Sequence, residues 1–88
     1  MEFRWNGWNI GHVQEHGVLP HDAMLVVEGS RESDWVWRSD GKWLVRGRGR
    51  GGGLLQVVFM LDADGTVFVT HARLLTDKEK KRFRRTGR

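Results

Sequence analysis

Apolar positions near the start of the chain recur at helical spacing. Ile10 and Val13 share one face of a segment that Asn6 can cap and that Gly17 can close from the left-handed region. A second helix is predicted at once: Pro20 suits a first turn, Asp22 suits the positive end of the helix dipole, and Ala23, Met24, Val26 and Val27 form a stripe that stops at Gly29. Before them, Phe3 to Trp5 alternates briefly and reads as a short edge strand.

From Asp34 the period becomes strand-like. Trp35 and Trp37 alternate with Val36 and Arg38, and Asp40-Gly41 is a two-residue hairpin signal leading into Lys42–Val45. Leu54 to Leu61 is apolar on both faces, as a central strand is. After the turn at Asp64-Gly65, Thr66 to Leu75 alternates again: regular pleating places Val67, Val69, His71 and Arg73 on one face and Phe68, Thr70, Ala72 and Leu74 on the other. Thr76 and Glu79 fit a capping box. The helix it opens has one apolar anchor, Phe83, amid Lys78, Lys80, Lys81, Arg82, Arg84, Arg85 and Arg88. Such a helix gains little from burial and is expected to dock weakly or to be held by a partner. The expected architecture is α+β: an antiparallel meander of about four strands plus the N-terminal edge strand, packed against two N-terminal helices, with a short charged C-terminal helix.

Composition narrows the function classes. A chain of 88 residues holds one domain with a modest core, so residues 1–88 are read as a single unit and a large enclosed catalytic cavity is not expected. The lack of cysteine excludes disulfides, thiolate metal sites and a Cys nucleophile, and fits a reducing compartment. The longest apolar runs, such as Val57 to Leu61, are too short to cross a bilayer, and the N-terminus lacks a signal-peptide core. A soluble, cytoplasmic protein is expected, with no membrane partner.

Charge changes the picture most. Residues 1–41 carry three basic side chains against seven acidic ones, whereas residues 42–88 carry twelve against four. The second half therefore has the electrostatic footprint of something that meets phosphates or an acidic protein.

Within it, Arg46, Arg48 and Arg50 alternate with glycines, so a strand continued this far would project three guanidiniums from one face as a phosphate ladder. The alternatives are a solvated hairpin tip or a short RGG-type RNA-binding segment. His71 and Arg73 lie two apart in a strand and point the same way; an imidazole and a guanidinium together suffice for metal-free cleavage of RNA by its own 2′-hydroxyl. A structural histidine is the alternative. His12 and His16 have HxxxH spacing, but a metal site needs a third ligand and no HExxH pattern is present, so no metal and no cofactor is expected. Instead His16 is placed at a helix C-terminus and His12 against Trp8. Of the five tryptophans most must be core, with one or two exposed.

The segments WNGWNIGHVQEHGVLP, GKWLVRGRGRGGGLLQVVF and GTVFVTHARLLTDKEKKRFRR together resemble the BrnT-like toxins, small members of the RelE superfamily. The most specific matches are Trp5, Asn9, His16, Gly17 and Val18 at the start, and Ala72, Arg73, Thr76, Glu79, Lys80 and Phe83 at the end. The chain departs from the pattern at Asn6, where an acidic residue is common, at Phe83, where tyrosine is common, and in the long glycine run after Arg50. The resemblance implies a RelE-like fold and a bacterial type II toxin, a ribonuclease neutralised by a cognate antitoxin protein.

The expected function is metal-independent endoribonuclease activity on single-stranded RNA or mRNA. His71, Arg73 and Arg48 form the catalytic set, and Arg46, Arg50, Lys78, Lys81, Arg82 and Arg85 bind RNA. A non-catalytic RNA-binding or regulatory module is the alternative, and a basic protein-interaction domain is a third.

Overall fold

Asn6 starts the first helix as its residue type dictates. In the computed structural model, which describes residues 1–85, the Asn6 side chain accepts from the Trp8 and Asn9 amides at 2.9 and 3.2 Å. Asn9 reciprocates, its Oδ1 accepting from the Asn6 amide at 2.7 Å and its Nδ2 donating to the Arg4 carbonyl at 3.1 Å. These bonds satisfy a fully buried amide while closing the free end of α1 (Gly7–Glu15). His16 caps the other end, and Gly17 turns the chain at φ +75°. α2 (Pro20–Glu28) follows, with Pro20 in its first turn.

A 3-10 turn (Glu32–Asp34) leads into β1 (Val36–Arg38), β2 (Lys42–Arg48), β3 (Leu54–Leu61) and β4 (Val67–Leu74), and α3 (Asp77–Arg85) ends the described chain. The strands form one antiparallel sheet in sequence order. Gly41 and Gly65, at φ +83° and +88°, supply the left-handed residues that the two hairpin turns require. The expected N-terminal edge strand is reduced to one parallel bridge, Phe3 to Val67, fixed by two backbone bonds of 2.8 and 2.9 Å.

One sheet face packs on the helices. Val45, Leu55, Val57, Phe59, Val67, Val69 and Ala72 bury against Val13, Val18, Ala23, Val26 and Val27, and Trp5, Trp35 and Trp43 close the margin. Phe59 is completely buried, with the Trp35 ring edge-on at 4.9 Å; burial of such a side chain contributes about 1.5–3 kcal/mol. Trp8 and Trp37 are the exposed tryptophans, at 52% and 56%. The Arg-Gly alternation acquires a packing reason here. A Cβ on Gly47 would lie 3.3 Å from Val26 Cγ1, and one on Gly49 would lie 3.1 Å from Leu55 Cδ1. The glycines face α2 and let it approach, which leaves Arg46 and Arg48 on the opposite side.

β4 departs from regular pleating. Its register with β3 slips between Val58 and Phe59, which pair with His71 and Val69 respectively, so Thr70 is an extra residue. Val69 and Ala72, three apart, both enter the core. The expected common face of Val67, Val69, His71 and Arg73 is therefore corrected: the bulge at Thr70 turns His71 and Arg73 to the face opposite Val67 and Val69.

Among the described residues no helix is long and apolar enough to cross a membrane.

Candidate functional site

The second sheet face carries most of the chain's distinctive chemistry, arranged in rows set by strand register. Arg46, Gln56 and Arg73 are cross-strand partners in β2, β3 and β4. The next row is Val36, Leu44, Val58 and His71, running across all four strands. Arg38 and Lys42 pair beyond it at one end, where both meet Asp40 at 3.2 and 3.9 Å, and Arg48 pairs with Leu54 at the other. Hence His71 and Arg73 of β4 and Arg46 and Arg48 of β2 lie on one face, on two strands separated by β3.

Arg50 leaves the set. β2 ends at Arg48, and the glycines form a hydrogen-bonded turn, Gly49 to Gly53 at 2.9 Å and Gly52 to Gly49 at 3.1 Å. The Arg50 amide donates to Asp22 at 3.1 Å, which draws its backbone toward the N-terminus of α2. The three-arginine ladder is thus two rungs, Arg46 and Arg48, with Arg50 in the loop. Arg48 is exposed and donates to the Gly52 carbonyl at 3.0 Å.

Glu79 organises the arginine row. Its carboxylate accepts from Arg73 Nη1 and Nη2 at 2.7 and 2.8 Å, from Arg46 Nη2 at 3.1 Å and from the Thr76 amide at 2.9 Å. Thr76 Oγ1 in turn accepts from the Glu79 amide at 3.2 Å, completing the expected capping box. The Arg73 bonds, then the Thr76 amide, hold the Glu79 carboxyl far below the ordinary carboxylate range, and the same bonds raise Arg73. The Arg46 Nε also donates to Gln56 at 3.0 Å. Spacing identified Glu79 as a cap and missed it as the clasp of both arginines, because the 33-residue separation from Arg46 has no local signature.

α3 crosses this face on that clasp and on Phe83. Phe83 is half-buried and lines a groove of about 440 Å³ with Val36, Leu44 and Arg46. Lys78, Lys81, Arg82 and Arg85 are exposed on the helix, within a turn or two of the sheet arginines. Arg88, counted in the sequence among the charges around Phe83, lies outside the described residues.

His71 borders the row on its other side. Desolvation first, and then the nearby His16, Arg73, Arg38 and His12, lower its pKa from the ordinary 6.5, which favours the uncharged ring. Its ring meets that of His16 at 4.7 Å in an edge-on contact. The pairing joins residues 55 apart in sequence and was invisible there. As expected, His16 caps α1 and His12 packs against Trp8, at 4.0 Å between rings; His12 Nδ1 donates to the Trp8 carbonyl at 2.8 Å. Trp8 also stacks on Phe68, over which Arg4 lies at 4.1 Å while gripping Asp62 with two bonds. No three His, Cys, Asp or Glu side chains among the described residues come together as a metal-ligand set.

The chemistry available is therefore an imidazole with a lowered pKa beside guanidiniums, on a sheet face that α3 partly covers. A scan against models of known protein families finds no match to this chain, and no curated protein matches it.

Proposed function

We propose that the chain is a metal-independent endoribonuclease of single-stranded RNA, with a RelE-like arrangement and the role of toxin in a type II toxin–antitoxin pair. The observation that carries the reading is the placement of His71 beside Arg73, and of Arg46 across β3 from them, on one sheet face. Cleavage by the neighbouring 2′-hydroxyl requires a base for that hydroxyl and positive charge for the phosphorane, and imidazole and guanidinium supply both without a metal. His71 takes the 2′-hydroxyl proton. Arg73, once a phosphate replaces Glu79 on its fork, stabilises the transition state together with Arg48, while Arg46 holds the adjacent phosphate. Lys78, Lys81, Arg82 and Arg85 extend the positive field along the strand's path, and Arg50 adds to it from the loop.

The same face suits an acidic antitoxin, whose carboxylates would occupy the arginines as Glu79 does. The Glu79 clasp also favours a second reading: with both arginines already neutralised, the face acts as a regulated RNA-binding module without catalysis.

Purified protein incubated with a defined single-stranded RNA in excess EDTA separates the two. Cleavage that falls roughly 10²–10⁴-fold in His71→Ala, with folding confirmed by circular dichroism, is expected for the enzyme. RNA binding with no cleavage would establish the binding module instead.

A further inference from the structure

We infer that His16 is the second proton-transfer residue of this site, the general acid that protonates the departing 5′-oxygen. The inference rests on the ribonuclease reading and adds what that reading lacks, a donor for the leaving group.

Transesterification of RNA moves two protons. The 2′-oxygen bonds to phosphorus and loses one, the P–O5′ bond breaks, and the 5′-oxygen gains one; the products are a 2′,3′-cyclic phosphate and a 5′-hydroxyl. A single imidazole can serve both ends only by shuttling its proton across the reaction. Two imidazoles need no shuttle, and His16 and His71 lie edge-on with centroids 4.7 Å apart, close enough for both to address one phosphodiester.

The placement is built rather than incidental. His16 caps α1, with its own amide bonded to the Val13 carbonyl at 3.3 Å and the chain reversed immediately after by Gly17. Its ring is exposed, as a donor to an incoming substrate must be. His71 is half-buried in a strand and turned to this face only by the Thr70 bulge. The groups acting on His71 are His16, Arg73, Arg38 and His12, all cationic or able to become so, and none is a carboxylate. Positive charge at the His16 position disfavours a proton on His71. The half-buried ring among cations takes the base role, and the exposed ring takes the acid role.

The test uses full-length protein and two oligonucleotides with a single cleavable ribonucleotide, one normal and one with sulfur in place of the bridging 5′-oxygen. A thiolate leaves without needing a proton. His16→Ala should cleave the normal substrate roughly 10²–10⁴-fold more slowly than wild type and regain most of that loss on the 5′-thio substrate. His71→Ala should remain slow on both. Wild-type rates in His16→Ala on the normal substrate would overturn the assignment, and so would an equal loss on both substrates, which marks a structural role. If wild type cleaves neither substrate, the ribonuclease reading fails and this inference fails with it; a cleaving wild type confines any failure to His16.

Discussion

Thr70 donates its hydroxyl to the Val58 carbonyl at 3.2 Å, and β4 changes faces at that bond. The hydroxyl is 6% exposed with its residue and satisfies a polar group inside an irregular part of the ladder. One inserted residue thereby keeps Val67, Val69 and Ala72 in the core while delivering His71 and Arg73 to the opposite side. Regular pleating would have buried a histidine and an arginine among valines, at a desolvation cost that few partners there could offset.

Deleting Thr70, the extra residue, leaves Val69 directly before His71, so regular alternation still keeps Ala72 in the core and His71 and Arg73 on the opposite face, and the variant should fold. Thr70→Val keeps the shape and loses the bond, for an expected destabilisation of about 1 kcal/mol. Urea unfolding followed by tryptophan fluorescence measures both. A deletion variant that fails to fold would refute the reading of Thr70 as the extra residue.

Glu79→Gln removes the negative charge that occupies Arg73 and Arg46. Single-stranded RNA should then bind more tightly, and the log–log salt slope should steepen by roughly 0.7 for each guanidinium released to phosphate. Arg48→Ala should shallow it by a similar amount, whereas Arg50→Ala should matter less. Anisotropy of a labelled RNA across a salt series reports these slopes. Unchanged affinity in Glu79→Gln would mean that the clasp does not compete with RNA.

Acid should weaken the fold in two steps. His71 has a folded pKa below its ordinary 6.5, so the unfolded chain binds the proton first; stability is full above about pH 6.5 and declines as pH falls through that value toward the folded one. Glu79 has a folded pKa below its ordinary 4.5, so its contribution is full above about pH 4.5 and declines on further acidification. Thermal melts from pH 8 to 3 should show both descents. His71→Asn should flatten the first and leave the second, and an unchanged first descent would place its origin elsewhere.

Asn9→Ala deletes a buried amide that ties α1 to its own start and to the Arg4 carbonyl. A loss of about 1–3 kcal/mol is expected from the cap and the unpaired backbone groups left behind. Chemical denaturation measures it, and a change below a few tenths would show that water replaces the amide freely.

Local signals were legible in the sequence. Asn6, Gly17, Pro20, Asp40-Gly41, Asp64-Gly65 and the Thr76–Glu79 box act over a few residues, and each sits where its chemistry places it. The meander followed, since hairpins join neighbouring strands. The faces of β4 did not, because a one-residue bulge leaves the residue types along the strand unchanged and inverts every side chain beyond it. The rows of the site also escaped notice: Arg46–Gln56–Arg73 and His16–His71 depend on register and helix placement, which are settled by packing over the whole chain. In the sequence Gly47 and Gly49 show only as the residues alternating with arginines, although their lack of a Cβ is what admits α2.

Analysis of the RNA ends left by the wild-type protein tests the central claim most directly. A defined single-stranded oligoribonucleotide, incubated with the purified protein in excess EDTA and examined by mass spectrometry, should yield fragments ending in a 2′,3′-cyclic phosphate and beginning with a 5′-hydroxyl. Intact RNA under these conditions, or fragments carrying 5′-phosphates, would contradict cleavage by the 2′-hydroxyl at the His71 face.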